Sequence, residues 1–263
     1  MRRYRKPHKI RRKTSVFKNR YFWLSLLVLL IFGSSSYFLF FSDFFQVKEI
    51  NISGNQKITT DNIKNEMNSL VTRNFISFSS RSIFLTNFHN INSEILKKFP
   101  QLASINFKRD FPNRIVVEAE ERKPVAVFCP SVDCFSIDKE GIAFERNEVI
   151  FSDFPRINNI DGKNSFSLGE NVIDENILNF ILDVKYGLNE KLKITAEVFN
   201  LISAQRLNVK TKGKWDVYFN VKGDLNWQLE KLILVLEKEI PPEKRKDLDY
   251  VDLRFTRVYF KYR

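Results

Sequence analysis

The sequence predicts an α+β protein anchored by one transmembrane helix, and three observations carry that prediction. Residues 21–42 hold no charged side chain, are dominated by Phe, Leu, Ile and Val, and are bounded by Arg20 and Asp43. As a helix this run covers about 33 Å, enough for a hydrocarbon core of about 30 Å. Residues 1–20 carry ten Lys or Arg and no acid, so the positive-inside bias holds the N-terminus in the cytoplasm and sends the rest across. Beyond residue 44 the hydrophobic period switches repeatedly between two and about 3.6 residues, the pattern of alternating strands and helices. A cleaved signal sequence is the competing reading of the apolar run. It is disfavoured because the run exceeds the usual span of about 7–15 residues and no A-x-A pattern follows the small residues at 33–36. Either way the folded part lies outside the cytoplasm.

The net charge is +12, of which the tail supplies ten, leaving about +2 for everything after it. A nucleic-acid-binding fold is therefore not indicated. A basic flank beside a span explains the tail, with anionic lipid or nucleic acid as alternative uses.

The elements follow in order. Residues 47–53 (VKEINIS) alternate apolar and polar as a half-buried strand, with Ile50 and Ile52 inward. After the turn at Gly54-Asn55, residues 61–71 form a helix capped by Thr59 or Thr60, with Ile63, Met67, Leu70 and Val71 on one face. A Phe- and Ser-rich connection leads to a second short helix starting at Ser93 and ended by Pro100. Residues 102–108 and 113–120 alternate again around the turn RDFPN, with Ile105 and Val116 inward. The order strand, helix, helix, strand, strand makes a domain of about 75 residues able to bury its own core. Strands follow at 124–128, 135–137 and 142–145, then a helix at 174–186 with Gly187 at its end. Further strands lie at 194–201, 207–210 and 215–221. A helix at 225–239 buries Leu229, Leu232, Ile233 and Leu236 before Pro241-Pro242, and a last strand spans 250–262.

Cys129 and Cys134 flank a short polar turn between two apolar runs, so a hairpin can bring them within disulfide reach on the oxidising side of the membrane. A metal site is the weaker alternative, because the only histidines, His8 and His89, lie far away; the four-residue gap excludes a redox C-x-x-C. No catalytic, cofactor-binding or metal constellation emerges. Glu118, Glu120 and Glu121 read as a solvated strand face. Asp247, Asp249 and Asp252 are surrounded by Lys244, Arg245, Lys246 and Arg254 and read as local ion pairs. The 26 phenylalanines fall mostly on apolar faces, which is core packing rather than base stacking.

Several segments together carry a family resemblance. FQVKEINISGNQKITTDNIKNEM, INFKRDFPNRIVVEAEERKPVAVF, IDKEGIAF, KWDVYFN, the Lys231-Leu232 pair and YVDLR (residues 250–254) stand in the order seen in the cell-division family FtsQ/DivIB. The chain is similar to that family over nearly its whole length, with residues 151–194 matching only in outline and Asn226-Trp227 replacing a frequent Leu-Gly pair. The resemblance implies a cytoplasmic tail at 1–20, a transmembrane helix at 21–42, a POTRA domain at 45–122 and a mostly antiparallel β domain at 123–263. It also implies a non-enzymatic divisome protein of the cell membrane that needs no cofactor. The implied partners are small bitopic proteins of the FtsB/FtsL kind, linked onward to septal cell-wall synthases. The segment after the DLR signature, Phe255, Thr256, Arg257, Val258, Tyr259 and Phe260, is where the family pairs with FtsB as an added strand, and augmentation of a sheet edge supplies the physics. The alternative from another class is a POTRA-containing envelope assembly factor or a regulator of a cell-wall enzyme.

Overall fold

The computed structural model describes residues 19–74, 79–131, 133–146, 154–160 and 166–263. The basic tail read over residues 1–20 therefore lies outside the described residues, except for its last two. The uncharged run forms helix α1 (Arg20–Phe41), whose N-terminus is capped by Asn19 accepting from the Tyr21 amide at 3.0 Å. None of its residues is buried, and it is long and apolar enough to cross a membrane. At its other end three carbonyl-directed bonds replace the missing helical donors. Ser82 donates its hydroxyl to the Leu39 carbonyl at 3.0 Å, and Ser80 and the Gln46 amide donate to the Phe40 carbonyl at 2.7 and 3.2 Å.

Next come β1 (Glu49–Ser53), α2 (Thr60–Val71), β2 (Arg73–Asn74), β3 (Ser79–Ser80), α3 (Phe88–Lys98), β4 (Leu102–Asp110) and β5 (Arg114–Glu121). Strands β1, β5 and β4 form a three-stranded sheet in that order. Gly54, at φ +89, turns the chain after β1 where any Cβ would meet the Ala119 carbonyl oxygen at 2.2 Å. The amides of Gln56, Lys57 and Ile58 then donate to the Glu121 carboxylate at 2.8–3.0 Å. Burial pushes that carboxyl's pKa up, but the three amides and the Lys57 charge outweigh it and hold it below the ordinary glutamate value.

Closeness of backbone positions in space divides the chain into two units. The first contains the described residues up to Ile52, with Lys64–Ile91 and Phe107–Val117; Val47, Ile50, Met67, Val71, Ile83, Ile91, Ile115 and Val117 are buried there. The second contains Ser53–Ile63, Asn92–Asn106 and Glu118–Arg263. The second is built around one nine-stranded sheet. Its strands are β6 (Ala126–Cys129), β7 (Phe135–Ile137), β8 (Ala143–Arg146), β9 (Arg156–Asn159), β10 (Ala196–Ser203), β11 (Arg206–Thr211), β12 (Asp216–Asn220), β13 (Leu248–Asp252) and β14 (Tyr259–Tyr262). The spatial order is β14-β13-β12-β11-β10-β9-β6-β7-β8. Five of its junctions are antiparallel; β12/β13, β10/β9 and β6/β9 are parallel. Parallel neighbours need a crossover, and α4 (Glu175–Leu192) and α5 (Leu225–Lys238) supply two of them. Their apolar faces join Phe128, Phe199, Phe219, Val217 and Val251 in one core.

Several expectations need correction. Helix α3 begins at Phe88, not Ser93, because Asn87 caps it by accepting from the His89 and Asn90 amides at 3.1 and 3.3 Å. Helix α4 runs through Gly187 to Leu192 and ends at Lys193, whose φ of 54° is left-handed. Gly187 is there for close packing: a Cβ would lie 2.4 Å from a Leu229 methyl on α5. Val116 is only half-buried, and Ile115, Val117 and Ala119 face the core instead. Ile52 is likewise half-buried while Ile50 is buried. The strand read over 250–262 is two antiparallel strands, β13 and β14, joined by a reversal at residues 253–258.

Candidate functional site

The reversal is held from the side by α5. Asp224 caps that helix by accepting from the Trp227 amide at 3.1 Å, and the buried face carries Leu229, Leu232, Val235 and Leu236 together with Gln228 and Lys231. The Lys231 side chain is 7% exposed, and its ammonium donates to the carbonyl oxygens of Leu253 and Phe255 at 2.7 and 2.6 Å. Burial draws its pKa below the ordinary lysine value, an effect partly offset by the Asp252 carboxylate. Asp252, the last residue of β13, accepts from Arg254 Nε and Nη2 at 2.9 and 2.6 Å and from the Arg254 amide at 3.1 Å. Burial alone would raise the Asp252 carboxyl, but the Arg254 hydrogen bonds and charge prevail and hold it below the usual aspartate range. The Leu253 amide donates to the Tyr218 carbonyl at 2.9 Å.

Beside this clasp lies a run of rings and guanidiniums. Tyr218 and Tyr250 stack at 5.0 Å, with Arg206 and Arg254 over the Tyr218 ring at 4.9 and 5.6 Å. Arg254 also covers Phe255 at 5.3 Å, and Phe255 meets Tyr259 edge-on at 6.0 Å. Arg254, Phe255, Thr256, Arg257 and Tyr259 line an open recess of about 570 Å³.

Of the six residues singled out from the sequence, Tyr259 and Phe260 stand in β14, and Phe255, Thr256, Arg257 and Val258 form the reversal before it. Among the described residues β14 pairs only with β13. The Arg263 amide donates inward to the Asp247 carbonyl at 2.8 Å, so alternation puts the backbone groups of Lys261 and Tyr259 inward and those of Phe260 and Tyr262 outward. Val258, Phe260 and Tyr262 pack against the core, while Tyr259 and Lys261 are exposed. The opposite end of the sheet differs. There Ala143 of β8 donates to the Glu170 carbonyl and accepts from Gly169 at 3.0 and 2.7 Å, and Gly141 accepts from Val172 at 2.8 Å.

The remaining candidates lie apart from this edge. Cys129 and Cys134 are joined in a disulfide with a Cα–Cα distance of 4.2 Å. Glu120 accepts from the Ser104 hydroxyl at 3.2 Å, Asp249 pairs with Lys261 at 3.6 Å, and His89 lies in α3. Among the described residues no three His, Cys, Asp or Glu side chains gather as a metal site requires.

The family model for the POTRA domain, FtsQ-type, matches residues 45–122. The cell-division protein DivIB of Clostridium tetani (strain Massachusetts / E88) is 25% identical over 207 residues, which cover 74% of this chain and 72% of that one. Residues 45–122 are thus an FtsQ-type POTRA domain, in a chain similar to DivIB. DivIB of Clostridium acetobutylicum (strain ATCC 824) is 28% identical over 102 residues, 39% of this chain and 37% of its relative. The similarity to these proteins indicates a cell-division protein, and among the described residues α1 is the one helix long and apolar enough to cross a membrane. Two of the segments that carried the resemblance meet in space: the ammonium of the Lys-Leu pair holds the carbonyl of Leu253 inside YVDLR, where Asp252 holds Arg254. What the sequence reading missed was this clasp. Its signal was a lysine in the register of a buried helical stripe, three residues after Gln228 and four before Val235.

Proposed function

We propose that this protein is a non-catalytic scaffold of the division machinery that captures an extended segment of a partner along the outer edge of β14. It crosses the membrane once, N-terminus in the cytoplasm and both folded regions on the far side. The partner is a bitopic division protein of the FtsB/FtsL kind, and through it the protein links to the septal cell-wall synthases. The observation that carries this reading is the asymmetry of the nine-stranded sheet: residues 169–172 bond along one end, whereas β14 offers the outward amides and carbonyls of Phe260 and Tyr262. Added-strand binding takes affinity from such backbone groups and selectivity from adjacent side-chain recesses, here the one lined by Phe255, Arg257 and Tyr259.

The test is capture of a co-expressed FtsB-type partner by the full-length protein from membranes, comparing Phe260→Pro with Phe260→Ala. Both lose the ring, but only proline loses the outward donor. The proline variant should bind about tenfold more weakly than the alanine variant, the equivalent of one hydrogen bond. Equal capture by the two folded variants refutes the docking edge.

A further inference from the structure

We propose that the exposed phenylalanines beside the C-terminal end of α1 form a membrane-embedded wedge that seats the folded part of the same unit on the lipid surface. The inference rests on α1 being a membrane span. Phe38 in the last turns of α1 meets Phe45 at 5.8 Å; Phe45 meets Phe44 at 5.0 Å and Phe84 at 5.2 Å, and Phe84 meets Phe111 at 5.4 Å. The rings thus continue without a break from the span to the turn between β4 and β5. Phe44, Phe84 and Phe111 are 56%, 40% and 56% exposed, an apolar patch that a soluble surface rarely presents contiguously.

Continuity with the span decides what covers this patch. The hydroxyls of Ser80 and Ser82 and the Gln46 amide hold the Leu39 and Phe40 carbonyls. The Ile83 amide donates to the Phe45 carbonyl at 3.0 Å, and the Val47 amide to the Arg81 carbonyl at 2.9 Å. These bonds fix Phe84 next to the helix end, so the patch cannot swing away from the plane in which the span leaves the bilayer. Asp43, exposed between Ser42 and Phe44, marks the depth: its carboxylate belongs at the headgroups, and the rings beside it reach the acyl boundary just below. The occupant is therefore lipid, with the rings acting as a second, lateral anchor.

The test places single nitroxide labels on the full chain in vesicles of phosphatidylcholine and phosphatidylglycerol. The two native cysteines are already joined, so a thiol introduced by Phe84→Cys, Phe111→Cys, Leu30→Cys or Lys64→Cys is the one that reacts. Relaxation by oxygen reports lipid, and relaxation by a water-soluble nickel chelate reports water. The labels at 84 and 111 should show oxygen-to-nickel ratios several-fold above the label at 64, on the exposed side of α2, and approach the label at 30. In a Phe44→Ser, Phe84→Ser background the label at 111 should fall back toward the aqueous value. Aqueous ratios at both 84 and 111 with a lipid ratio at 30 overturn the wedge alone. Shielding of both labels from both probes means a second copy covers the patch, which also overturns it. Nickel access at 30 refutes the span itself.

Discussion

Replacing Lys231 by methionine tests whether the reversal before β14 is held by α5. The thioether chain keeps most of the stem's packing but removes two charge-assisted hydrogen bonds, those to the Leu253 and Phe255 carbonyls at 2.7 and 2.6 Å. Each such bond contributes about 1.5–3 kcal/mol, and the change leaves a buried carbonyl without a donor. Methionine also relieves the cost of burying an ammonium, the same cost that draws the Lys231 pKa down, so the net loss is about 2–4 kcal/mol. For a folded region of this size that lowers the unfolding midpoint by about 5–15 °C. Thermal unfolding of the purified full-length protein measures it, and capture of the FtsB-type partner should fall in parallel because the start of β14 is no longer fixed. A Lys231→Met protein that melts with wild type and captures the partner at full strength would show that the clasp neither stabilises the fold nor positions the edge.

Asp252→Asn should lower the unfolding midpoint at neutral pH, with the deficit shrinking as pH falls through and below the ordinary aspartate value of 3.8. The folded carboxyl titrates below the unfolded one, so its contribution is full above that value and is lost as the folded group protonates; a deficit independent of pH would contradict this. A reporter fused after Arg263 that is active only outside the cytoplasm should be active in the full-length fusion, and an inactive reporter on a stable fusion would reverse the proposed orientation.

Elements that carry their own periodicity were legible. Helices α2 and α5 and strands β11 and β12 show apolar spacing that burial then follows, because each pattern is local. The failures are places where distant residues decide. The run from Tyr250 to Tyr262 is β-prone throughout, and nothing within it signals a reversal; the ammonium of Lys231 and the antiparallel register Val251 to Phe260 impose one. Strand β9, with the sequence RINN, has too little apolar alternation to read alone and exists through pairing with β6 and β10. Val116 was misplaced because the run Ile115-Val116-Val117 is apolar throughout, and only the β5 register decides which side is buried. The candidate edge residues come from the resemblance alone, since which strand ends a sheet depends on all the others.

The two dissimilar ends of the nine-stranded sheet also limit how copies of this protein can meet. A fibre grows when one free edge docks on a different free edge of the next copy, in a head-to-tail contact whose rotation does not close into a ring. Here β8 has residues 169–172 bonded beside its first residue and is itself four residues long, which leaves little template for a neighbour's β14. Two copies can still join β14 to β14, but that contact is two-fold symmetric and exhausts both edges at once. Self-pairing therefore ends at a dimer and occupies the same backbone groups that the partner strand would use. A high local concentration of this protein would then set homodimer against heterocomplex, each copy being either paired with itself or available for assembly.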